Sequence, residues 1–257
     1  MTEQRRVLVV DVGGNNVKCW LSSTDERRKT PSGPKLTGTE MVDAVLELTQ
    51  DWAYDLVSVG VPGPVAGDRL LRDPVNLGPG WAGIDFGLLF GRPTRVVNDA
   101  VMQALGSYDG GRMLFLGLGT GLGNTLVVDG VPIGMELGHL PYRGKRTFED
   151  YVGQRGLVRL GKKRWRKYVY DVVERLKAAM VADYVVLGGG NAKLVDPLPE
   201  GCRRGDNRNA FKGGLRLWEE AGLTRSRSLD RDASRGQPAV ADQAASADRA
   251  ASADQAA

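Results

Sequence analysis

The sequence predicts an α/β protein of two domains with a cleft between them, each domain opening on a strand, a glycine-rich turn and a second strand. Three observations carry this. Arg6 to Asp11 is a near-continuous β-branched run that ends in Asp11-Val12-Gly13-Gly14-Asn15-Asn16-Val17-Lys18, and Val17 to Leu21 reads as the returning strand. After Tyr108-Asp109-Gly110-Gly111 the pattern starts again: Met113 to Leu118, the turn Gly119-Thr120-Gly121-Leu122-Gly123, then Asn124 to Val128 closed by Asp129-Gly130. Between them the buried strand Arg95-Val96-Val97 runs into Asn98-Asp99 and a helix from Ala100 to Leu105. In a dinucleotide fold the glycine loop leads into a helix; here it leads into a strand, twice. The expected boundaries are 1–108, 109–223 and a tail, 224–257.

Composition bounds the function. The 257 residues suffice for one large or two modest cores, and 42% hydrophobic with 26% charged residues is ordinary for a soluble protein. Val7 to Val10 follows Arg5 and Arg6, but Asp11 ends the run too early for a signal peptide, and no apolar run is long enough to span a bilayer. A cytoplasmic protein without a membrane partner is expected. Cys19 and Cys202 stand alone, which suggests neither a disulfide framework nor a zinc site. A net charge of +4 permits an anionic partner without demanding one.

In the first half, the turn Gly13 to Asn16 tolerates positive φ, and its successive N–H groups can form an anion-binding nest. Asp11 at the strand end suits Mg²⁺ held through water, and Lys18 suits a phosphate; a Gly-Asn hairpin without a ligand is the other reading. Ser22 to Gly38, with Pro31, Gly33 and Pro34, reads as loop or irregular hairpin. Thr37-x-x-Glu40 has capping-box spacing and opens a helix over about 39–52 with Met41, Val45 and Leu48 on one stripe. Leu56 to Val61 is a buried strand broken at Pro62-Gly63-Pro64. A short strand at Leu70-Leu71 and a loop from Asp73 to Trp81 follow. In that loop the Asn76 amide has the donor and acceptor that read sugar hydroxyls, while Trp81 is expected to pack. Gly83 to Phe90 is a short helix. Asn98 and Asp99 then sit at a strand-to-helix junction, where side chains face a ligand cleft. Asp99 is the candidate general base; capping of the following helix is the alternative.

In the second half, Thr120 is placed to bond a phosphate. Met135-Glu136-Leu137-Gly138-His139-Leu140 holds the chain's only histidine, which excludes a multi-histidine metal site. With Glu136 it can clamp a polyol, or it is structural. Glu149 and Asp150 lie where a helix start favours acids whatever their function. Tyr151 to Ala179 is mostly helical, interrupted near Gly153 to Gly156, and carries Arg155, Arg159, Lys162, Lys163, Arg164, Arg166 and Lys167 before the first acid, Asp171. Such a run is commonly a solvated face; its alternative is a track for a long polyanion. Asp183 to Leu187 is a strand ending in Gly188-Gly189-Gly190, where a nucleotide base and ribose can approach closely. Ala210 to Ala221 reads as a last helix. From about Thr224 an alanine and polar repeat without an apolar stripe is expected to be disordered, its five Arg and five Asp cancelling.

Taken together these motifs resemble the ROK family (repressors, uncharacterised frames and sugar kinases) of the sugar kinase and actin superfamily, and within it the polyphosphate glucokinase branch. Asp11-x-Gly13-Gly14-x-x-x-Lys18 resembles the first phosphate motif, Val61-Pro62-Gly63-Pro64-Val65 the sugar-domain segment, and Asn98-Asp99 the catalytic pair. Gly119-Thr120-Gly121-Leu122-Gly123 resembles the second phosphate motif, Glu136-Leu137-Gly138-His139 the sugar-binding Glu and His, and Gly188-Gly189-Gly190 the adenosine-side loop.

The resemblance implies a two-domain actin-like (ribonuclease H-like) fold and a Mg²⁺-assisted glucokinase using ATP or inorganic polyphosphate. Asp99 would deprotonate the sugar 6-hydroxyl, while Asn76, Asn98, Glu136, His139 and Glu149 would hold the other hydroxyls. Gly13, Gly14, Asn15, Lys18, Gly119, Thr120, Gly121 and Gly123 would bind donor phosphates, with Asp11 steering the metal. The family's cysteine-rich zinc motif is absent, so no structural zinc is implied. Nor does a helix-turn-helix module precede Val7, so no nucleic-acid partner is expected. Related kinases are often homodimers. Asn15 and Asn16 replace the family's usual Thr and small residue, which supports a second reading: a sugar-binding sensor or partner protein with weak or no transfer.

Overall fold

The computed structural model describes residues 5–206 and 208–219, all within one compact unit, Met1–Gly222. The expected disordered tail, and the end of the last helix beyond 219, lie outside the described residues.

The chain begins with β1 (Val7–Val12), β2 (Asn16–Leu21), β3 (Glu26–Pro31), α1 (Gly38–Leu48), β4 (Leu56–Val61), the short pair β5 (Val65–Ala66) and β6 (Arg69–Leu70), α2 (Phe86–Phe90), β7 (Thr94–Asn98) and α3 (Asp99–Ser107). Then come β8 (Arg112–Leu118), β9 (Leu122–Val128), β10 (Val131–Met135), a 3-10 turn at Leu137–His139, β11 (Pro141–Arg143) and β12 (Arg146–Thr147). The described chain closes with α4 (Phe148–Val152), α5 (Gln154–Ala179), β13 (Tyr184–Gly188), β14 (Cys202–Arg204) and α6 (Asn209–Arg216).

Two five-stranded sheets result, ordered β3-β2-β1-β4-β7 and β10-β9-β8-β13-β14. Each has the same directions: an antiparallel β-meander feeding two parallel strands. The strand–turn–strand repeat seen in the sequence is therefore a repeat of topology. β1 and β4 are buried along their whole length, as expected of parallel strands covered on both faces.

The two largest core clusters lie one beside each sheet. One packs Val10, Val59, Met41, Val45 and Trp81 beside the first sheet; the other packs Leu116, Leu187, Trp165 and Val172 beside the second. Trp81 and Trp165 are fully buried and donate their indole N–H to the carbonyls of Leu36 (3.0 Å) and Val152 (2.9 Å), so their aromatic area is removed from water without an orphaned donor.

Local signals set the boundaries. Thr37 caps α1 in a full capping box with Glu40. Asp85 caps α2, and Gly91 ends it in the left-handed region at φ 60°. Asp129 and Gly130, at φ 51° and 77°, make the two-residue turn between β9 and β10.

Several elements depart from the sequence reading: α1 ends at Leu48 rather than near 52, α2 begins at Phe86 rather than Gly83, and β14 is a strand the sequence does not announce. Residues 26–31 form a regular strand where loop or irregular hairpin was expected. β3 is an edge strand with polar side chains on both faces, so no apolar alternation marks it and its ladder to β2 holds it. β10 is likewise an edge strand that the sequence did not announce. The break before α5 is the single extended residue Gly153, and a second interruption, at Gly161 (φ 73°), kinks α5 within its basic stretch.

α6 packs on β1, β4 and, most closely, α3. A Cβ on Gly106 would lie 1.8 Å from the Asn209 carbonyl oxygen, and one on Gly213 would lie 1.8 Å from that of Met102. The two glycines therefore allow backbone-to-backbone contact between the helices.

Candidate active site

Asp99 is the first residue of α3, and Asn98 is its cap: the Asn98 Oδ1 accepts from the Ala100 N–H at 2.9 Å, and its Nδ2 donates to the Gly63 carbonyl at 2.9 Å. The helix-cap alternative thus applies to Asn98, whose amide ties the Pro62-Gly63-Pro64 break to the junction. Asp99 accepts from the same Ala100 N–H, also at 2.9 Å.

Its carboxyl is half-buried, and its pKa is pushed up to about 7. Burial is the largest cause and the negative charge of Asp11 the next; the Ala100 and Asp99 backbone N–H groups pull the other way, and the charge of Glu136 adds to the rise. Residues from β1, α3 and the segment after β10 thereby share one electrostatic environment.

Asp11, the last residue but one of β1, is almost fully buried, with its Oδ2 accepting from Lys18 Nζ at 3.0 Å across the first hairpin. The turn closes through Gly13 N–H to the Asn16 carbonyl (3.0 Å), and Ser32 pins it from outside, its hydroxyl donating to the Gly13 carbonyl and its N–H to that of Asn15 (3.1 Å). Gly14 and Asn15 are exposed at the tip. The exposed Asn76 lies over Gly14, its Cβ 3.9 Å from where a Gly14 Cβ would stand. The loop bearing Asn76 is shaped by Asp73, whose carboxylate accepts from the backbone N–H groups of Gly80, Trp81 and Ala82, which hold its pKa below the usual range. Sequence reading passed over Asp73, although an acid opening a loop that ends in a Gly-Trp pair is a turn signal.

The second turn is held from behind. The Gln154 N–H, at the start of α5, donates to the carbonyls of Gly119 (2.9 Å) and Thr120 (3.1 Å), and Gln154 Oε1 accepts from Asn191 Nδ2 at 2.9 Å. Asn191 follows Gly188-Gly189-Gly190, and its N–H reaches the Leu118 carbonyl (2.9 Å), so the triple-glycine loop lies against the base of the second turn. Gly189 has φ 78°, and a Cβ there would meet the Leu118 backbone at 2.5 Å. Thr120 is exposed.

Glu149 sits on α4 under this turn. Its Oε2 accepts from the Leu122 N–H at 3.3 Å and lies 2.1 Å from the place a Gly121 Cβ would take, so a side chain at 121 would displace the Glu149 carboxylate. His139 joins the sugar-side candidates to it: Nε2 is 3.8 Å from Glu136 Oε2 and 4.0 Å from Glu149 Oε2. Arg155 Nη2 is 4.0 Å from Glu149 Oε1.

The structure therefore gathers Glu136, His139, Glu149, Gly121 and Leu122 on one side. It gathers Asp11, Gly13, Gly14, Lys18 and Asn76 on the other. Asp99 feels charge from both. Among the described residues no hydrogen bond joins the first turn to the second. A hollow of about 650 Å³ lined by Arg6, Trp52, Tyr54, Asp55 and Arg92 lies at the opposite, starting end of β1 and β4 and holds none of these residues.

Sequence reading missed Asn124, Gln154 and Asn191, which fix the second turn and the segment beyond it. For Asn124 there was a signal, a polar side chain inside an apolar strand; for the other two there was none.

Of the seven basic residues of α5 that precede Asp171, Arg159 donates to the Asp150 carbonyl (2.7 Å) and lies over the Tyr151 ring, and Arg166 donates to the Asp196 carbonyl. Lys162, Lys163, Arg164 and Lys167 are exposed and pair with no acid among the described residues.

The sequence matches no protein-family model and no curated protein. Solved structures do match. An inorganic polyphosphate/ATP-glucomannokinase from Arthrobacter sp. strain KM is 21% identical, with TM-score 0.71 over 82% of this chain and 97% of that one. A ROK family glucokinase from Streptomyces griseus, in complex with glucose and AMPPNP, is 17% identical, with TM-score 0.67 over 82% and 98%. A ROK family transcriptional regulator, a homolog of the E. coli MLC protein, is 16% identical, with TM-score 0.62 over 88% and 81%. At these identities the likeness establishes the fold. It is the two-domain actin-like α/β fold, and the structural neighbours that share it are mainly ROK-family sugar kinases.

Proposed function

We propose that this chain is a hexose kinase that moves a phosphoryl group from polyphosphate or ATP to the 6-hydroxyl of glucose or a close hexose. The observation that carries the reading is Asp99. It is a half-buried carboxyl at a strand-to-helix junction, held near neutrality by burial and by Asp11 and Glu136, between two glycine turns.

A carboxylate poised near the working pH suits a general base. Asp99 takes the hydroxyl proton, the freed oxygen attacks the terminal phosphorus, and the donor's bridging P–O bond breaks with its electrons going to the leaving phosphate. Glu136, His139 and Glu149 orient the sugar by accepting from and donating to its other hydroxyls, with Asn76 at the first turn. The N–H groups of the two turns and Lys18 receive donor phosphates, and Gly188 to Gly190 give a nucleoside room.

Among the described residues no cluster of three or more His, Cys, Asp or Glu side chains is placed to hold a metal alone. That fits Mg²⁺, which binds one or two carboxylates together with substrate phosphates. Asp11 would hold it, and the ion would neutralise charge on the transferring group. Such transfer depends mainly on positioning and electrostatics.

The test is glucose 6-phosphate formation by the wild type and Asp99→Asn, with Mg²⁺ and with ATP and long-chain polyphosphate given separately. Product that collapses in the variant supports the kinase. A sugar-binding sensor is the second reading, favoured by Asn15 at the exposed tip of the first turn and Asn16 beside it at the start of β2. Stabilisation by hexose without product from either donor would select it.

A further inference from the structure

Asn124 lies in β9 with 3% of its surface exposed, on the face that looks toward the core of the second sheet. Both ends of its amide are engaged. Nδ2 donates to the Leu122 carbonyl at 2.9 Å, and Oδ1 accepts from the Leu137 N–H at 3.2 Å. Leu122 is the fourth residue of the second glycine turn, and its own N–H donates to Glu149 Oε2. Leu137 stands between Glu136 and His139, at the point where the chain leaves β10 for its 3-10 turn.

Three hydrogen bonds therefore run in series, Glu149 to Leu122, Leu122 to Asn124 and Asn124 to Leu137, and the His139 ring of the Leu137 segment lies 4.0 Å from the Glu149 carboxylate where the series began. The Asn124–Leu137 bond reaches past the ladder: the last β9–β10 register pair is Asn124 with Met135, and the chain is next tied down at Leu140, whose carbonyl accepts from the Phe148 N–H (3.1 Å), so Glu136 to His139 lie between the two ladders. The 3-10 turn supplies only the local bonds His139 N–H to Glu136 O (3.2 Å) and Leu140 N–H to Leu137 O (3.1 Å).

We propose that Asn124 is a positioning residue that sets the height of the Glu136–His139 segment relative to the second phosphate turn, and so couples the sugar-binding side chains to the donor turn. This rests on the hexose kinase reading. A buried side-chain amide is suited to the task because it presents a donor and an acceptor on one rigid plane, and each backbone group it serves would be costly to leave unpaired. No aliphatic residue does this, and a hydroxyl, whose donor and acceptor share one atom, cannot reach two backbone groups as far apart as the two ends of an amide.

The two halves of the amide separate in Asn124→Asp. A carboxylate still accepts from the Leu137 N–H but repels the Leu122 carbonyl, whereas Asn124→Leu removes both bonds at similar volume. Hexose KM, donor KM and kcat are measured for both variants beside melting temperature, with amide hydrogen exchange over 135–140. Asn124→Leu should raise hexose KM and lower kcat/KM by roughly 10- to 100-fold, the scale of misplacement by about 1 Å. Asn124→Asp should keep hexose KM within a few-fold of wild type while raising donor KM. Exchange over 136–139 should quicken in Asn124→Leu and stay slow in Asn124→Asp.

A fall in melting temperature with unchanged kinetic constants would overturn the proposal, as would equal exchange in all three proteins. If Asn124→Leu does not fold, Asn124→Asp alone decides through the split between donor and hexose KM. A wild type without phosphoryl transfer sinks the kinase reading instead, and the exchange measurement still tests Asn124.

Discussion

Gly123 of β9 faces Ala100 of α3 so closely that a Cβ on Gly123 would stand 3.0 Å from the Ala100 Cβ. Ala100 follows Asp99, so the second glycine turn and the candidate base meet across one methyl group. Gly123→Ala forces that contact apart by a few tenths of an ångström and moves the start of α3. The expected outcome is a kcat loss of about tenfold at near-normal hexose KM, since small displacements of reacting groups are expensive in rate. Steady-state kinetics on Gly123→Ala and Gly123→Val check it; Val should be nearly inactive, and wild-type rates in both would show that the contact has no bearing on Asp99.

Asp99 predicts a pH dependence of both rate and stability. Its pKa is raised from 3.8 to about 7, so the carboxylate that accepts a proton forms as pH rises through about 7 and kcat/KM should rise with it. Asp99→Asn should lose at least 100-fold in kcat and the associated limb. For stability the sign is opposite. Between pH 4 and 7 the folded protein binds more protons at this site than the unfolded chain does, so Asp99 lowers stability progressively over that window. Asp99→Asn should therefore melt higher than wild type at pH 8 and equally at pH 4, with roughly 2–4 °C for each kcal/mol relieved. Melting curves that coincide at pH 8 would refute the burial of this charge.

Much of this is legible in the sequence alone. The β-branched run into Asp11, the restart after Gly111 and the Asn98-Asp99 junction are local patterns, and each marks its element. Capping at Thr37 and Glu40 is likewise local and came out as read. What was not legible depends on partners far along the chain. Residues 26–31 become a strand because β2 offers a ladder, and their own side chains say nothing of it. Gln154 and Asn191, 37 residues apart, hold the second turn only because α5 and the loop after β13 converge there. α6 follows the second sheet in sequence yet lies on the first, where Gly214 leaves room for Val9 of β1 and Gly106 and Gly213 bring it onto α3, and no periodicity distinguishes these glycines from ordinary helix breakers.

Asp11 raises the pKa of Asp99 by its charge, which makes the pH profile a test of their proximity. Asp11→Asn removes that charge and should move the midpoint of the rising limb to lower pH, besides lowering kcat. Lys18→Met removes the half-buried partner of the buried Asp11 carboxylate and should raise donor KM several-fold, with a lower melting temperature because Asp11 is left buried without its counter-charge. An unshifted limb in Asp11→Asn would mean that the two carboxyls do not interact.

Ser58 makes a separate prediction about stability alone. It is fully buried in β4, its hydroxyl donating to the Gly214 carbonyl (2.7 Å) and accepting from Trp218 Nε1–H (2.8 Å). Ser58→Ala leaves both groups without a partner and should cost about 1–3 kcal/mol. Because α6 is fastened there at a distance from the glycine turns, kcat should stay within twofold of wild type. Trp218→Phe should cost a similar amount, and the double variant less than the sum, since one network is lost twice.

Lys162, Lys163, Arg164 and Lys167 decide what the basic stretch of α5 is for. Their four charges are exposed around the Gly161 kink and lack acidic partners among the described residues, while Arg155, Arg159 and Arg166 are each engaged by an acid, a ring or a carbonyl. A solvated face needs no partner, and replacing it with glutamine changes little. A track for a long anion depends on the summed charge, which salt screens over a Debye length of about 10 Å at 0.1 M. With polyphosphate as donor, the fourfold Gln variant should raise donor KM at least tenfold in low salt and flatten its rise with salt, while KM for ATP moves less than twofold. Equal donor KM in wild type and variant at low salt would assign these residues to solvation, and the choice of donor would then rest on the two glycine turns and the Gly188 to Gly190 loop.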